Sequence, residues 1–253
     1  MIVYKSRGEI EIMDRCNRVV TRILAALVDQ VEPGVTTMDL DQTAERMCRE
    51  AGVRPAFKGY RGYPCVLCAS VNDEVIHGIP SPRRAVREGD IIGLDFGVVL
   101  DGYYGDGAVT VPVGSVSKEA SALMKVTREA LYLGVDAARP GNRLSDISAA
   151  VQRHVEAAGY SVVRDFVGHG IGTALHEDPQ VPNYGPAGSG PVLKEGLVLA
   201  IEPMVNIGGP GVRIGEDGWT ARTLDGSLSA HFERSVAITS NGPWLLGGDA
   251  EVV

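Results

Sequence analysis

Apolar positions along the chain follow two rhythms. A three-to-four-residue spacing predicts helices, and alternating or continuous short runs predict strands. Ser6-Arg7-Gly8-Glu9 has the form of a capping box, with Ser6 accepting from a backbone N–H and Glu9 reaching back. A helix is predicted from about Gly8 to Val31, with Ile12, Val19, Ile23 and Leu27 on its buried stripe and Pro33-Gly34 ending it. A second runs from about Thr37 to Glu50 and stops at Ala51-Gly52. The segment Pro55–Pro82 is rich in turn residues, with a strand predicted at Cys65–Ser70 and an exposed His77-Gly78-Ile79-Pro80. Two apolar runs joined by Asp101-Gly102 then predict a hairpin over 86–113, because a type I′ turn needs positive φ at both central residues. A two-residue loop there sets Asp95 opposite Ala108. Asp106, two positions from Ala108, then shares a face with Asp95. Two carboxylates held together in an apolar strand pair repel unless something positive lies between them.

The same order of elements returns. Helices are predicted at about Lys118–Ala138, ended by Pro140-Gly141, and at Leu144–Ala157, ended by Ala158-Gly159. An offset of 107 residues carries Pro33-Gly34 to Pro140-Gly141, Ala51-Gly52 to Ala158-Gly159, Glu88-Gly89 to Glu195-Gly196 and Asp95 to Glu202. The second half reads as a diverged copy of the first. By that copy, Glu202 on a strand Leu197–Ile207 has a partner returning from a turn. Glu233 is the candidate, with Gly208–Ser229 inserted where the first half has two residues. The expected class is α+β, a curved, mainly antiparallel sheet with helices on its outer face.

At 253 residues, 44% hydrophobic and 22% charged, the composition is that of a globular protein with a sizeable core. A net charge of −8 with no basic tail argues against a nucleic-acid surface and suits a substrate carrying a free amine. No run of about 18 apolar residues is present, so no membrane span is expected. Cys16, Cys48, Cys65 and Cys68 are expected as free thiols in the cytoplasm, since Cys65-x-x-Cys68 lacks the second pair of a zinc site.

Between the two acid-bearing segments lies the stretch 166–177, glycine-rich and carrying His169 and His176. Its glycines do not make a phosphate loop, because no Lys-Ser/Thr follows them. A spacing of seven puts the two histidines on opposite faces of a regular strand, so a bend and separate tasks are expected. Asp101, Glu177 and Asp178 read as ordinary surface acids. Asp95, Asp106 and Glu202, set in apolar strands, read as ligands. Four carboxylates with one histidine suit two divalent ions with bridging carboxylates better than one ion. Oxygen and imidazole donors without cysteine favour Mn, Fe, Co or Zn.

These stretches resemble the type I methionine aminopeptidases of the dinuclear-metal, pita-bread peptidase family. The likeness rests on Val71–Pro80, Asp95 with Asp106, the run from Gly168 to Tyr184, Ala200–Asn206 and Leu228–Glu233, and covers essentially the whole chain. It implies a pita-bread fold with two pairs of helices and an internal pseudo-twofold. One catalytic domain spans 1–253, in halves of about 8–115 and 116–240. It further implies two divalent metal ions held by Asp95, Asp106, His169, Glu202 and Glu233, with Asp106 and Glu233 bridging. His77, His176 and Glu202 are the implied catalytic residues, Glu202 moving a proton. His77, His176, Cys68, Tyr60 and Trp219 are the implied substrate-binding residues. The implied activity is removal of the initiator methionine from nascent polypeptides with a small second residue. The expected enzyme is a cytoplasmic monomer in transient contact with the ribosome, independent of nucleic acid and membrane. Leu175 stands where the family often has an aromatic residue, so a reshaped methionine pocket is expected. Cys65 has no family role, and with its short start the enzyme is expected to lack the zinc-finger or proline-rich extension of some relatives. The alternatives are a proline-specific peptidase of the same fold, which usually has a further N-terminal domain, and a metal-free peptide-binding homologue. A type II enzyme would carry a late helical insertion.

Overall fold

The computed structural model describes residues 1–248; the last five residues of the expected domain, 249–253, lie outside the described residues. α1 (Arg7–Val28) begins at the anticipated capping box, with Glu9 accepting from the Ser6 N–H at 2.7 Å. It ends about one turn earlier than expected. Its buried face also differs: Ile23 and Leu27 are buried, but Ile12 and Val19 lie at the margin, and Ile10, Met13, Cys16 and Val20 take the interior. α2 (Thr37–Ala51) is capped by Thr36 and Asp39 and closed by Gly52 in the left-handed region. β1 (Arg54–Pro55), β2 (Leu67–Val71) and β3 (Glu74–Ile76) follow, the middle one slightly later than predicted. Asp41 of α2 anchors that strand by accepting from the N–H groups of Val66 and Leu67 at 2.8 and 2.9 Å.

β4 (Ile91–Leu100) and β5 (Tyr103–Pro112) form the predicted hairpin. Asp101 (φ 50) and Gly102 (φ 83) make its turn, and the register runs unbroken from Ile91 opposite Pro112 to Leu100 opposite Tyr103. α3 (Lys118–Ala137) and α4 (Leu144–Ala157) then lead into β6 (Ser161–Val162), β7 (Gly168–Gly170) and β8 (Glu177–Val181). The remaining strands are β9 (Val198–Ile201), β10 (Met204–Asn206), β11 (Val212–Ile214), β12 (Ala221–Thr223), β13 (Ser229–His231), β14 (Glu233–Thr239) and β15 (Gly242–Leu245).

The main sheet orders its strands β1-β4-β5-β14-β9-β7-β8, with β2 beside β4 and β15 beside β14, and every pairing is antiparallel. β10 lies between β13 and β6, and β12 between β11 and β3. The expected continuous strand Leu197–Ile207 is in fact two, because Glu202-Pro203 interrupts it: proline has no N–H to give a ladder. The insertion is not a plain loop. It forms the β11–β12 hairpin, which adds to β3.

The 107-residue offset recurs in the backbone. Gly34 and Gly141 both have positive φ, and their N–H groups bond the carbonyls of Val86 and Leu193. The isolated bridge Thr36–Ala85 has its counterpart in Arg143–Val192. The main buried core sits between the helices and the sheet, with Phe96, Leu123, Leu131 and Ile147 fully enclosed. No helix among the described residues is long and apolar enough to cross a membrane.

Candidate metal centre

Strand register brings the acidic residues together. Cys68 faces Asp95, Asp95 faces Ala108 and Ala108 faces Glu233, a single row across four strands. Two residues along, Gly97 faces Asp106, Ser235 faces Ala200 and Ala200 faces His169. Rows two residues apart project to one side of a sheet. Asp95, Asp106, His169 and Glu233 therefore share a face, and the positions between them are Ala, Gly or Ser. Bulkier residues there would fill the space the carboxylates surround.

Ligand atoms of Asp106, His169 and Glu233 lie within 4.8 Å of one another, and all three residues are buried. Glu202 stands at the strand break rather than inside a strand. Its carbonyl accepts from the Asn183 side chain at 2.9 Å, and its Oε1 is 3.6 Å from His169 Nε2. His169 Nδ1 donates to the Gly170 carbonyl at 2.9 Å, which leaves Nε2 as the lone-pair nitrogen facing the acids. The bend expected between His169 and His176 is present, as a register shift between His169 and Gly170.

The electrostatics are those of a cation site. Burial pushes Asp95 up to about 7 and Glu202 up to about 8, with Glu202 adding repulsion at Asp95. Burial, then neighbouring acids, hold Asp106 and Glu233 well above the usual carboxylate range. Burial holds His169 down to about 3, hence neutral and able to ligate. Asp95 Oδ1 and Glu233 Oε1 are buried with no hydrogen-bond partner in the protein. Burying even a neutral polar group without a hydrogen bond costs about 2–7 kcal/mol, and a charged carboxylate more, unless something compensates it. A divalent ion does so, and the oxygen-plus-imidazole donor set fits one.

All ten residues singled out from the sequence line one cavity of about 360 Å³. His176 shares a 2.8 Å hydrogen bond from Nδ1 to the Tyr60 hydroxyl, stacks on that ring, and lies with its own ring 4.3 Å from His169. A phenol donating to Nδ1 leaves the Nε2 proton free to point into the cavity. His77 is half-buried rather than exposed, packed edge-on against Phe166 and Trp219. Its φ of 60 is unusual for a side-chain-bearing residue, and at the next position, Gly78, a Cβ would run into the Ala69 carbonyl oxygen. Burial keeps the His77 imidazole down to about 4. Trp219, from the inserted hairpin, meets Tyr63 edge-on at 5.1 Å. Phe57 lines the same cavity as Leu175, so an aromatic ring is supplied from another segment. The acids read as surface residues behave so in two cases: Asp101 pairs with Arg15 and Asp178 with the chain's amino terminus, both exposed. Glu177 departs from that reading, being largely covered and paired with the buried Lys5. The four cysteines are free and buried.

Two contributors escaped sequence reasoning. Asn183, which holds the Glu202 carbonyl, gave no signal beyond its place after the histidines. His231, buried and 3.5 Å from Glu202 Oε2, stands two residues from Glu233 in the same short motif. A larger cavity of about 470 Å³ between the N-terminal segment and the β14–β15 hairpin is lined by none of the ten residues singled out from the sequence.

Comparison with known proteins agrees with this geometry. The profile of metallopeptidase family M24 matches residues 11–240. The chain is 52% identical over 246 residues to a methionine aminopeptidase of Clostridium acetobutylicum, covering 97% of this chain and 98% of that one. It superposes on the crystal structure of methionine aminopeptidase from Thermotoga maritima with a TM-score of 0.97 at 46% identity, covering 98% and 100% of the two chains. A prolidase from Pyrococcus furiosus shares the fold at 23% identity and a TM-score of 0.79, with only 66% of its chain covered. The antiparallel sheet, the buried acid cluster and these likenesses agree: the chain belongs to metallopeptidase family M24 and, within it, to the methionine aminopeptidases.

Proposed function

We propose that this chain removes the initiator methionine from nascent polypeptides whose second residue is small, using two divalent ions held by Asp95, Asp106, His169, Glu202 and Glu233. The observation that carries the reading is the buried group of Asp106, His169 and Glu233 within mutual reach, flanked by Asp95 and Glu202. Asp106 and Glu233 would help to hold both ions. Manganese, iron, cobalt and zinc all suit oxygen and imidazole donors. Bound divalent ions supply acidification of water and polarisation of the carbonyl next to the scissile bond.

The protein's own groups do the rest. Glu202 moves the proton from the attacking water towards the leaving amine. His176, with Tyr60 fixing its Nδ1, presents an N–H to the oxygen that gains charge. His77 orients the following peptide group. Tyr60, Cys68 and Trp219 wall the space for the methionine side chain, beside Leu175 and Phe57. A free α-amine that has lost its proton would be a further donor for the ions, and only the first residue of a peptide carries one.

The proposal treats the chain as one catalytic domain of two related halves, about 8–115 and 116–240, sharing the centre between them. The enzyme works as a cytoplasmic monomer, where four free thiols stay reduced and nascent chains leave the ribosome. A reload assay tests the proposal. Protein stripped with chelator and returned to Mn, Fe, Co or Zn is offered Met-Ala-Ser beside Ala-Pro. Metal-dependent release of methionine from the first peptide is expected. No such release overturns the proposal, and preferred cleavage of Ala-Pro replaces it with a proline-specific activity.

A further inference from the structure

His231 is the last residue of β13, and Met204, two positions after Glu202, lies opposite it in β10. Its backbone is held from both sides by one hydroxyl. Thr110 Oγ1 donates to the His231 carbonyl at 2.8 Å and accepts from the His231 N–H at 2.9 Å. The side chain is thereby aimed at the acids from the wall of the site. It is 4% exposed, and its Nε2 has no hydrogen-bond partner, with Glu202 Oε2 3.5 Å away. The two oxygens of Glu202 thus face two different histidines, Oε1 towards His169 and Oε2 towards His231.

A carboxylate hung on three rotatable bonds does not keep an orientation unaided. Asn183 fixes the Glu202 carbonyl but leaves the carboxylate free to turn. We propose that His231 is a positioning residue: its Nε2–H donates to Glu202 Oε2 and sets the carboxylate plane, so that Oε1 stays directed at the cation that His169 also faces. The inference rests on Glu202 being a ligand. Nε2 carries a proton in the imidazolium and in one of the two neutral tautomers, and a carboxylate at this distance selects that tautomer. Partners of ligands act in this way in metal sites generally, fixing the ligand's direction without touching the ion.

The test uses the full chain, freed of metal by chelator, with Mn(II) as the calorimetric probe. His231→Leu removes the donor, and His231→Gln keeps an N–H on a side chain of similar reach. His231→Leu is expected to lower Mn(II) affinity by about 10–100-fold and, at saturating Mn(II), to lower kcat for Met-Ala-Ser with KM little changed. His231→Gln recovers most of both. Wild-type affinity and kcat in His231→Leu overturn the proposal, and so does a His231→Gln variant as impaired as His231→Leu. A second measurement needs no variant and decides the matter if His231→Leu does not fold. In histidine-labelled wild-type protein loaded with Zn(II), the ¹⁵N spectrum is expected to show a protonated His231 Nε2. A deprotonated Nε2 there makes His231 a ligand itself and overturns the positioning role. If the wild-type chain takes up no Mn(II) at all, the metal-centre reading falls first and this inference with it.

Discussion

β4 and β5 run ten residues each in one unbroken register around a two-residue turn, whereas the strands that carry Glu202 and Glu233 are cut at Glu202-Pro203 and again at Phe232. A regular ladder offers side chains only at fixed steps on one face, which suffices for two short aspartates. The second half must do more. It lets a longer glutamate leave the ladder at the break, and it uses the insertion to raise a wall over the cavity. That wall is tied to the first half: Arg222 of β12 pairs with Asp73 and Glu74, the latter on the strand that ends just before His77. The first hairpin thus supplies rigidity, and the second supplies direction and shape.

The comparison is broken most severely by removing the residue that stands between the two hairpins in sequence. His169→Ala is expected to abolish both metal uptake and methionine release, because His169 is the nitrogen donor among the grouped ligand residues. Calorimetry with Mn(II) beside the peptide assay reads both losses. Metal uptake at wild-type affinity would show the two carboxylate pairs to be sufficient alone. His176→Ala separates binding from chemistry. It should lower kcat by about 10²–10³, the cost of one lost donor to a developing charge, while metal binding persists.

A pH series probes the carboxylates of both hairpins together. Asp95 is raised from 3.8 to about 7 and Glu202 from 4.5 to about 8 in the ion-free protein. The folded state therefore holds protons that the unfolded chain releases. The resulting stabilisation is complete below the unfolded values, near pH 4, and is lost as pH rises through about 7 to 8. Chelator-treated protein should melt at progressively lower temperature over that window. The ion-loaded protein should not follow it, since a bound cation keeps the carboxylates charged and paired at every pH in the window. Parallel melting curves for the two forms would remove the cation from the account of this cluster.

How much of this was legible in the sequence follows from which interactions are local. The first hairpin was readable because Asp101-Gly102 fixes the register chemically, and register alone decides that Asp95 and Asp106 share a face. The copied half transmitted Glu202 through the 107-residue offset. The break beneath it was hidden by the apolar run on either side, although Pro203 was a sufficient warning. α1 was placed correctly but turned slightly wrong. It packs against two clusters at once, Ile10 and Met13 under one and Val20 to Leu27 under the other, so its buried face is wider than one narrow stripe. His231 was out of reach, since its meaning lies in a 3.5 Å approach to a residue on another strand.

The inserted wall is the feature of the second hairpin with no counterpart in the first, and Trp219 is where it meets the substrate cavity. The residue is set by the Asp217-Gly218 turn, in which Asp217 accepts from the N–H groups of Trp219 and Thr220, both at 2.9 Å. Its ring then packs edge-on to Tyr63 and His77. Trp219→Ala removes an aromatic wall worth ~0.5–1.5 kcal/mol in contact energy, so KM for Met-Ala-Ser should rise roughly two- to tenfold. Metal affinity should be unchanged, because an indole ring gives the ion no donor. Steady-state kinetics beside Mn(II) calorimetry read the two separately. An unaltered KM would mean that the wall serves the fold alone, and a fall in metal affinity would mean that the second hairpin shapes the ligand set through its insertion as well as through its break.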